Sequence, residues 1–247
     1  HAMADRANGF CYLNDPVLTL LHLRRLGLRR LAYVDIDAHH ADGVQAGLGG
    51  EGDILLISVH EEARWPFTGG LGDDGGGNAL NLPVPRGFND SEMAEVRERL
   101  ILPALDAFQP EAVLLQCGAD AVTEDPLSRL ALSNNAHVAV VRAVQAMTDR
   151  LIVTGGGGYN PWSVARCWTR VWGALNGYEP PGRLPEAAVA VLEGLAWPGR
   201  AAGRHPPRDW FDTLADPARD GPVRPEITGR IAALRARLPG LRRRAVA

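Results

Sequence analysis

Four short, almost uninterrupted apolar runs constrain this chain most: Leu31-Ala32-Tyr33-Val34-Asp35-Ile36, Ile54-Leu55-Leu56-Ile57-Ser58-Val59, Ala112-Val113-Leu114-Leu115-Gln116 and Leu151-Ile152-Val153-Thr154. A strand with one wet face alternates apolar and polar residues, whereas a strand covered on both faces reads as a continuous apolar run. The segments between the runs carry helical periodicity. Residues 91–108 place Met93, Val96, Leu100, Ile101, Leu105 and Phe108 at helical spacing, and residues 135–148 do the same with Val138, Val141 and Val144. Upstream, residues 14–27 open on the capping types Asn14 and Asp15, follow with Pro16 and stop at Gly27. Strands alternating with helices predict an α/β fold in which helices flank a mainly parallel sheet. Residues 60–90, rich in glycine, read as long loops, and a last helix over about Pro225–Leu238 sets Ile227, Ile231, Leu234 and Leu238 on one side, ready to pack back.

At 247 residues the chain is read as a single domain, 1–247, with residues 198–247 as a Pro- and Arg-rich extension packing on it. That extension carries eleven arginines against five acids, within a net charge of −3, so neither nucleic acid nor a membrane surface is implied as a partner. Arg242-Arg243-Arg244 reads as a frayed end. No apolar run reaches the length of a membrane span. Every one of the 26 basic residues is arginine, which excludes Schiff-base chemistry and a Walker phosphate loop. Cys11, Cys117 and Cys167 form no CxxC pair, which fits a reducing, cytoplasmic setting. Trp162, Trp168 and Trp172, at helical spacing, read as core, while His22, His40, His60, His137 and His205 read as polar core or surface residues, with His40 close to the site.

The chemistry concentrates where the first run ends, in Asp35-Ile36-Asp37-Ala38-His39-His40-Ala41-Asp42-Gly43. Three carboxylates and two imidazoles cannot be buried there without a partner for their charge. If the strand continues, Asp37 and His39 project on one face and offer an oxygen and a nitrogen to the same cation. Asp120 stands at the corresponding place after the third run, in Gln116-Cys117-Gly118-Ala119-Asp120. Two oxygens and one nitrogen with a position left open match a catalytic rather than a structural zinc site. A third strand end, Thr154-Gly155-Gly156-Gly157-Gly158-Tyr159, brings backbone close to a ligand and delivers a tyrosine hydroxyl.

Taken in order, Gly9-Phe10-Cys11-Tyr12-Leu13-Asn14-Asp15, the Asp35–Val44 stretch, Gln116–Asp120 with Asp125-Pro126-Leu127, and Gly155–Tyr159 with Ala165-Arg166-Cys167-Trp168 resemble the zinc-dependent histone deacetylase superfamily over about residues 1–175. Among its members the bacterial acetoin-utilisation and acetylpolyamine-type deacetylases are the most similar. The resemblance implies a three-layer α/β/α fold of the arginase/deacetylase kind and the hydrolysis of an acetyl amide, on lysine in a protein or on a small acetylated amine. It implies zinc, or iron in the cell, on Asp37, His39 and Asp120. It matches His1 to the general base and later acid, Asp42 to the carboxylate that orients it, Asp35 to the partner of a preceding histidine and Tyr159 to the oxyanion donor. A structural potassium ion is implied at Asp35, Asp37, His39, Ser58 and Val59, and the walls of an acyl tunnel at Gly9, Phe10, Trp65, Leu127 and Gly157.

The family's domain begins upstream of His1, so the resemblance also implies that an N-terminal part is missing here. Arg64-Trp65-Pro66-Phe67-Thr68-Gly69 departs from the family's Phe-Pro-Gly-Thr-Gly and alters the tunnel rim. Two other readings stand beside the enzyme: a non-catalytic module, or truncated inactive member, that keeps the pocket, and a two-manganese ureohydrolase of the arginase-like kind. The single compact ligand cluster speaks against the second. A homo-oligomer is compatible with the sequence.

Overall fold

The computed structural model describes residues 1–198 and 204–244. Its centre is a five-stranded sheet of β1 (Leu31–Asp35), β2 (Ile54–Glu61), β3 (Ala79–Val84), β4 (Ala112–Gln116) and β5 (Leu151–Thr154), in the order β3-β2-β1-β4-β5 and parallel throughout. The register places Asp35 level with Ser58 on one side and Gln116 on the other, while Gln116 is level with Thr154. The carboxyl ends of β1, β2, β4 and β5 therefore finish at one edge, where an open α/β sheet binds its ligands.

Strand periodicity sorts the apolar runs into two cores. Leu31, Tyr33, Ile54, Leu56, Ala112 and Leu114 meet Leu20 of α1 (Asp15–Arg25) and Val44 and Leu48 of α2 (Asp42–Leu48) on one face. Ala32, Val34, Leu55, Ile57, Val113 and Leu115 face the other way. There they meet α3 (Asp90–Val96), α4 (Leu102–Phe108), α5 (Asn134–Gln145) and part of α6 (Pro161–Leu175). This is the three-layer α/β/α arrangement. Asn14 caps α1 by accepting from the Val17 amide at 3.2 Å, and Asn89 with Glu92 closes a capping box on α3.

Three sequence expectations change. Residues 60–90 are not all loop, because β3 forms there. Its Asn81 and Pro83 hide the strand signal, and a proline is tolerated on a strand at the sheet edge. The predicted helix over 91–108 is α3 running through a π turn, Arg97–Ile101, into α4. Trp162 is buried, but Trp172 is 63% exposed and is not core. The C-terminal segment adds α7 (Glu186–Glu193), α8 (Asp209–Asp212), α9 (Pro225–Arg235) and α10 (Leu238–Arg244). Ile227, Ile231, Leu234, Leu238 and Leu241 join the core beneath the sheet. Residues 199–203 and 245–247 of the Pro- and Arg-rich extension lie outside the described residues. Among the described residues no helix is long and apolar enough to cross a membrane.

Candidate metal centre and its flanking groups

β1 ends at Asp35, so strand alternation does not aim Asp37 and His39 at a common point, as the sequence suggests. Hydrogen bonds fold the segment instead. The Asp35 carboxylate accepts from the Asp37 amide at 2.9 Å, and the Asp37 carboxylate accepts from the His39 amide at 2.9 Å, two successive Asx-type turns. Asp120, in the short turn after β4, accepts from the Ala38 amide at 2.9 Å and is drawn against the same loop. The result is a buried group of Asp37, His39 and Asp120 in which one ligand atom from each lies within 4.8 Å of the others. The His39 Nδ1 stands 3.1 Å from an Asp37 oxygen and 3.0 Å from an Asp120 oxygen.

The electrostatics show a site short of positive charge. Burial and the neighbouring Asp37 charge raise Asp120 to about 7, and the same two causes raise Asp35 to about 8. For Asp37, burial is outweighed by its hydrogen bond to His39, and its value falls. For His39, burial is outweighed by the Asp120 and Asp37 carboxylates, which push it up to about 10. One imidazole thus serves two buried carboxylates, while Asp35 is eased only by the Tyr33 hydroxyl at 2.5 Å and the Asp37 amide. Two carboxylate oxygens and one imidazole nitrogen, borderline-hard donors converging from buried positions, fit a divalent transition metal such as zinc.

The second layer is built as a metal site requires. The Gln116 amide donates to Asp37 at 3.1 Å while its oxygen accepts from Gly118, and the Gly157 amide donates to Asp37 at 2.8 Å. At Gly157 any side chain would collide with the Asp120 carboxylate, which is why the backbone can approach there. His1 and Asp42 form a separate pair, Nδ1 to Oδ1 2.6 Å, and Asn8 donates to the other Asp42 oxygen at 3.2 Å. The His1 ring stands edge-on to Trp65, with centroids 4.7 Å apart, and 6.2 Å from the His39 ring.

One cavity of about 450 Å³ is lined by His1, Asp35, Asp37, His39, Asp120, Gly157 and Tyr159. A second, about 530 Å³, carries Gly9, Phe10, Trp65 and Leu127 at the mouth and shares His1, His39 and Tyr159 with the first. Ser58 and Val59 sit on β2, with Ser58 level with Asp35, and the Ser58 hydroxyl also meets the Ala41 amide and His60. Asp125 received no role from the sequence, yet it accepts from the Tyr159 amide at 2.7 Å and the Leu127 amide at 2.9 Å, tying the tyrosine to the mouth. Gln116 and Asn8 were missed in the same way. Their only signal is position beside a motif.

A buried triad able to hold a metal ion, at a parallel sheet edge and flanked by a histidine–aspartate pair and a tyrosine, is what fold and geometry define. Residues 1–175 match the histone deacetylase domain. The chain is 38% identical over 194 residues to the putative histone deacetylase 2 of Caenorhabditis elegans, covering 76% of this chain and 38% of that protein. It is 36% identical over 190 residues to histone deacetylase 1 of Homo sapiens, covering 75% and 39%. The crystal structure of an HDAC homolog from Aquifex aeolicus superposes with a TM-score of 0.87 at 36% identity, over 95% of this chain and 64% of that one. An HDAC homolog complexed with SAHA gives 0.88 at 36% identity over the same shares. The chain belongs to the histone deacetylase family. It spans about two-fifths of the length of the curated relatives it matches.

Proposed function

We propose that this chain carries the metal-dependent hydrolysis of an acetyl amide, acetyl-lysine in a protein or a small acetylated amine, to free amine and acetate. The observation that carries the reading is the convergence of Asp37, His39 and Asp120 with His1 and Tyr159 on one cavity. The SAHA complex of a relative with 36% identity supports a pocket for a slender acylated chain. Zinc is the ion the donor set suits best. Potassium at Asp35, Asp37, His39, Ser58 and Val59 belongs to the same proposal, as does a cytoplasmic setting, which three free cysteines favour.

Asp37, His39 and Asp120 would hold the divalent ion, whose chemistry here is Lewis acidity toward a water and the amide carbonyl. The residues do the rest. Asp42 accepts the Nδ1–H of His1, which leaves Nε2 with a lone pair to take the proton of the attacking water. The same nitrogen can return that proton to the departing amine. Tyr159 keeps its proton: burial, then the Asp120 and Asp37 charges, hold its phenol above the ordinary value, so it donates to the oxygen that gains charge in the transition state. Asp125 fixes the backbone of that tyrosine. Phe10, Trp65 and Leu127 would shield the acyl chain from water. Acetate release from an acetyl-lysine peptide and from acetylated polyamines, with and without chelator, tests the reading. Chelator-sensitive release supports it, whereas one equivalent of tightly bound metal without turnover of any of these substrates would make the chain a binding module.

A further inference from the structure

The segment joining β2 to β3, residues 62–78, crosses from one parallel strand to the next without a helix and carries Trp65 to the cavity mouth. It is held from outside at two points: Arg230 of α9 pairs with Glu62 at 3.0 Å, and Arg237 donates to the Leu71 carbonyl at 2.8 Å. The stretch between them, where the indole sits, is held by two buried imidazoles. His60 Nε2 lies 2.9 Å from the Gly69 carbonyl, which can only accept, so Nε2 carries the hydrogen and Nδ1 receives the Ser58 hydroxyl at 2.9 Å. His40 Nε2 lies 3.2 Å from the Gln45 oxygen, whose identity is fixed because Asn81 donates to it at 2.7 Å and the Gln45 amide donates to Asp73. The His40 Nδ1 is hydrogen-bonded to the Thr68 hydroxyl at 2.8 Å.

The rings pack on one another with centroids 4.8 Å apart, and Gly69, at φ 73°, passes so close to His40 that a side chain there would enter the ring. Thr68 and Gly69 follow Trp65 by three and four residues, so the turn they anchor sets where the indole stands against His1 and His39.

We infer that His40 and His60 are positioning residues: a packed histidine pair that clamps the Thr68–Gly69 turn and thereby fixes the Trp65 wall of the acyl-amide site. The substrate-facing part of this inference rests on the proposed function; the clamp itself does not.

The test is ¹⁹F NMR of the chain labelled with 5-fluorotryptophan, the Trp65 signal being assigned by its loss in Trp65→Phe. Six tryptophans give six signals, so the other five report whether the fold survives. In His60→Ala and in Thr68→Val the Trp65 signal alone should shift and broaden. In His60→Gln, whose side-chain amide can still reach the Gly69 carbonyl, it should return toward the wild-type position. In active protein the same two variants should lose up to about 10²-fold in kcat/KM, as a misplacement of about 1 Å can cause, with the loss carried mainly in KM. A Trp65 signal unmoved in both His60→Ala and Thr68→Val overturns the clamp. If it moves while the wild-type chain releases no acetate, the clamp stands and the proposed activity is what fails.

Discussion

Two of the regions that bury charge in this molecule treat it in opposite ways. Where the C-terminal segment docks, the buried Glu92 and Arg166 each meet a permanent opposite charge. Glu92 takes Arg224 in a fork, 2.6 and 2.7 Å, and also accepts from the Arg224 and Asn89 amides. Arg166 pairs with Asp216 at 2.8 Å and donates to the Thr213 and Ala215 carbonyls. At the carboxyl edge of the sheet, Asp35, Asp37 and Asp120 share one imidazole and a few neutral donors. The first pattern is complete within the chain, as a structural ion pair must be. The second leaves three carboxylates with one imidazole between them, the imbalance that the proposed cation would offset. Buried charge alone therefore does not mark a functional site, but buried charge left unbalanced does.

The sharpest test of the catalytic side is Tyr159→Phe, which should lower kcat by about 10²- to 10³-fold while metal affinity and thermal stability stay near wild type. Equal loss of metal would show that the tyrosine supports the site rather than the reaction. On the structural side, Glu92→Gln removes half of a fork and leaves Arg224 facing a neutral amide. Arg224 is about a third in contact with solvent, so the cost read by urea unfolding at neutral pH should not exceed about 3 kcal/mol. For Glu92, burial is outweighed by Arg224, and its value falls below the ordinary carboxylate range. The stability it supplies is therefore present above the unfolded glutamate value and is lost as pH falls through the lower folded value. Acid unfolding of Glu92→Gln should lack that component, and an unchanged acid limb would remove the contrast.

How much of this contrast could be read beforehand depends on the element. The apolar runs 31–36, 54–59, 112–116 and 151–154 are legible because a doubly covered strand has no polar position to confuse the pattern. β3 is not, because Asn81 and Pro83 interrupt it and only pairing with β2 makes it a strand. Asp37, His39 and Asp120 stand out as ionisable residues immediately after apolar strands. The geometry behind them was misjudged, since nested side-chain-to-backbone bonds, not strand period, aim Asp37 and His39. Gln116, Asn8 and Asp125 were illegible because one polar residue beside a motif has no periodic signal. The docking of α9 is legible in its apolar side, but the contacts of Arg230 and Arg237 to residues 62 and 71 depend on tertiary placement alone.

Smaller effects refine the picture. Gln116→Leu deprives Asp37 of a donor and should weaken metal affinity by about 10- to 100-fold, measured by competition with a chromogenic chelator, with little change in the stability of the metal-free chain. Arg99→Ala breaks an exposed pair with Glu95 and should move stability by less than about 0.5 kcal/mol. A larger effect would mean that exposed pairs count here as the buried forks do.

The proposal turns on Asp37, His39 and Asp120 holding one divalent cation at the sheet edge. Calorimetric titration of the metal-free chain with zinc, in buffers of different ionisation enthalpy, tests it directly. Asp120, raised to about 7, and His39, raised to about 10, hold protons at neutral pH that the ion must displace. One equivalent should bind with net proton release, more tightly as pH rises, and Asp120→Asn should abolish the tight phase. Binding that is absent, or that is unchanged in Asp120→Asn and takes up or releases no protons, would contradict the account.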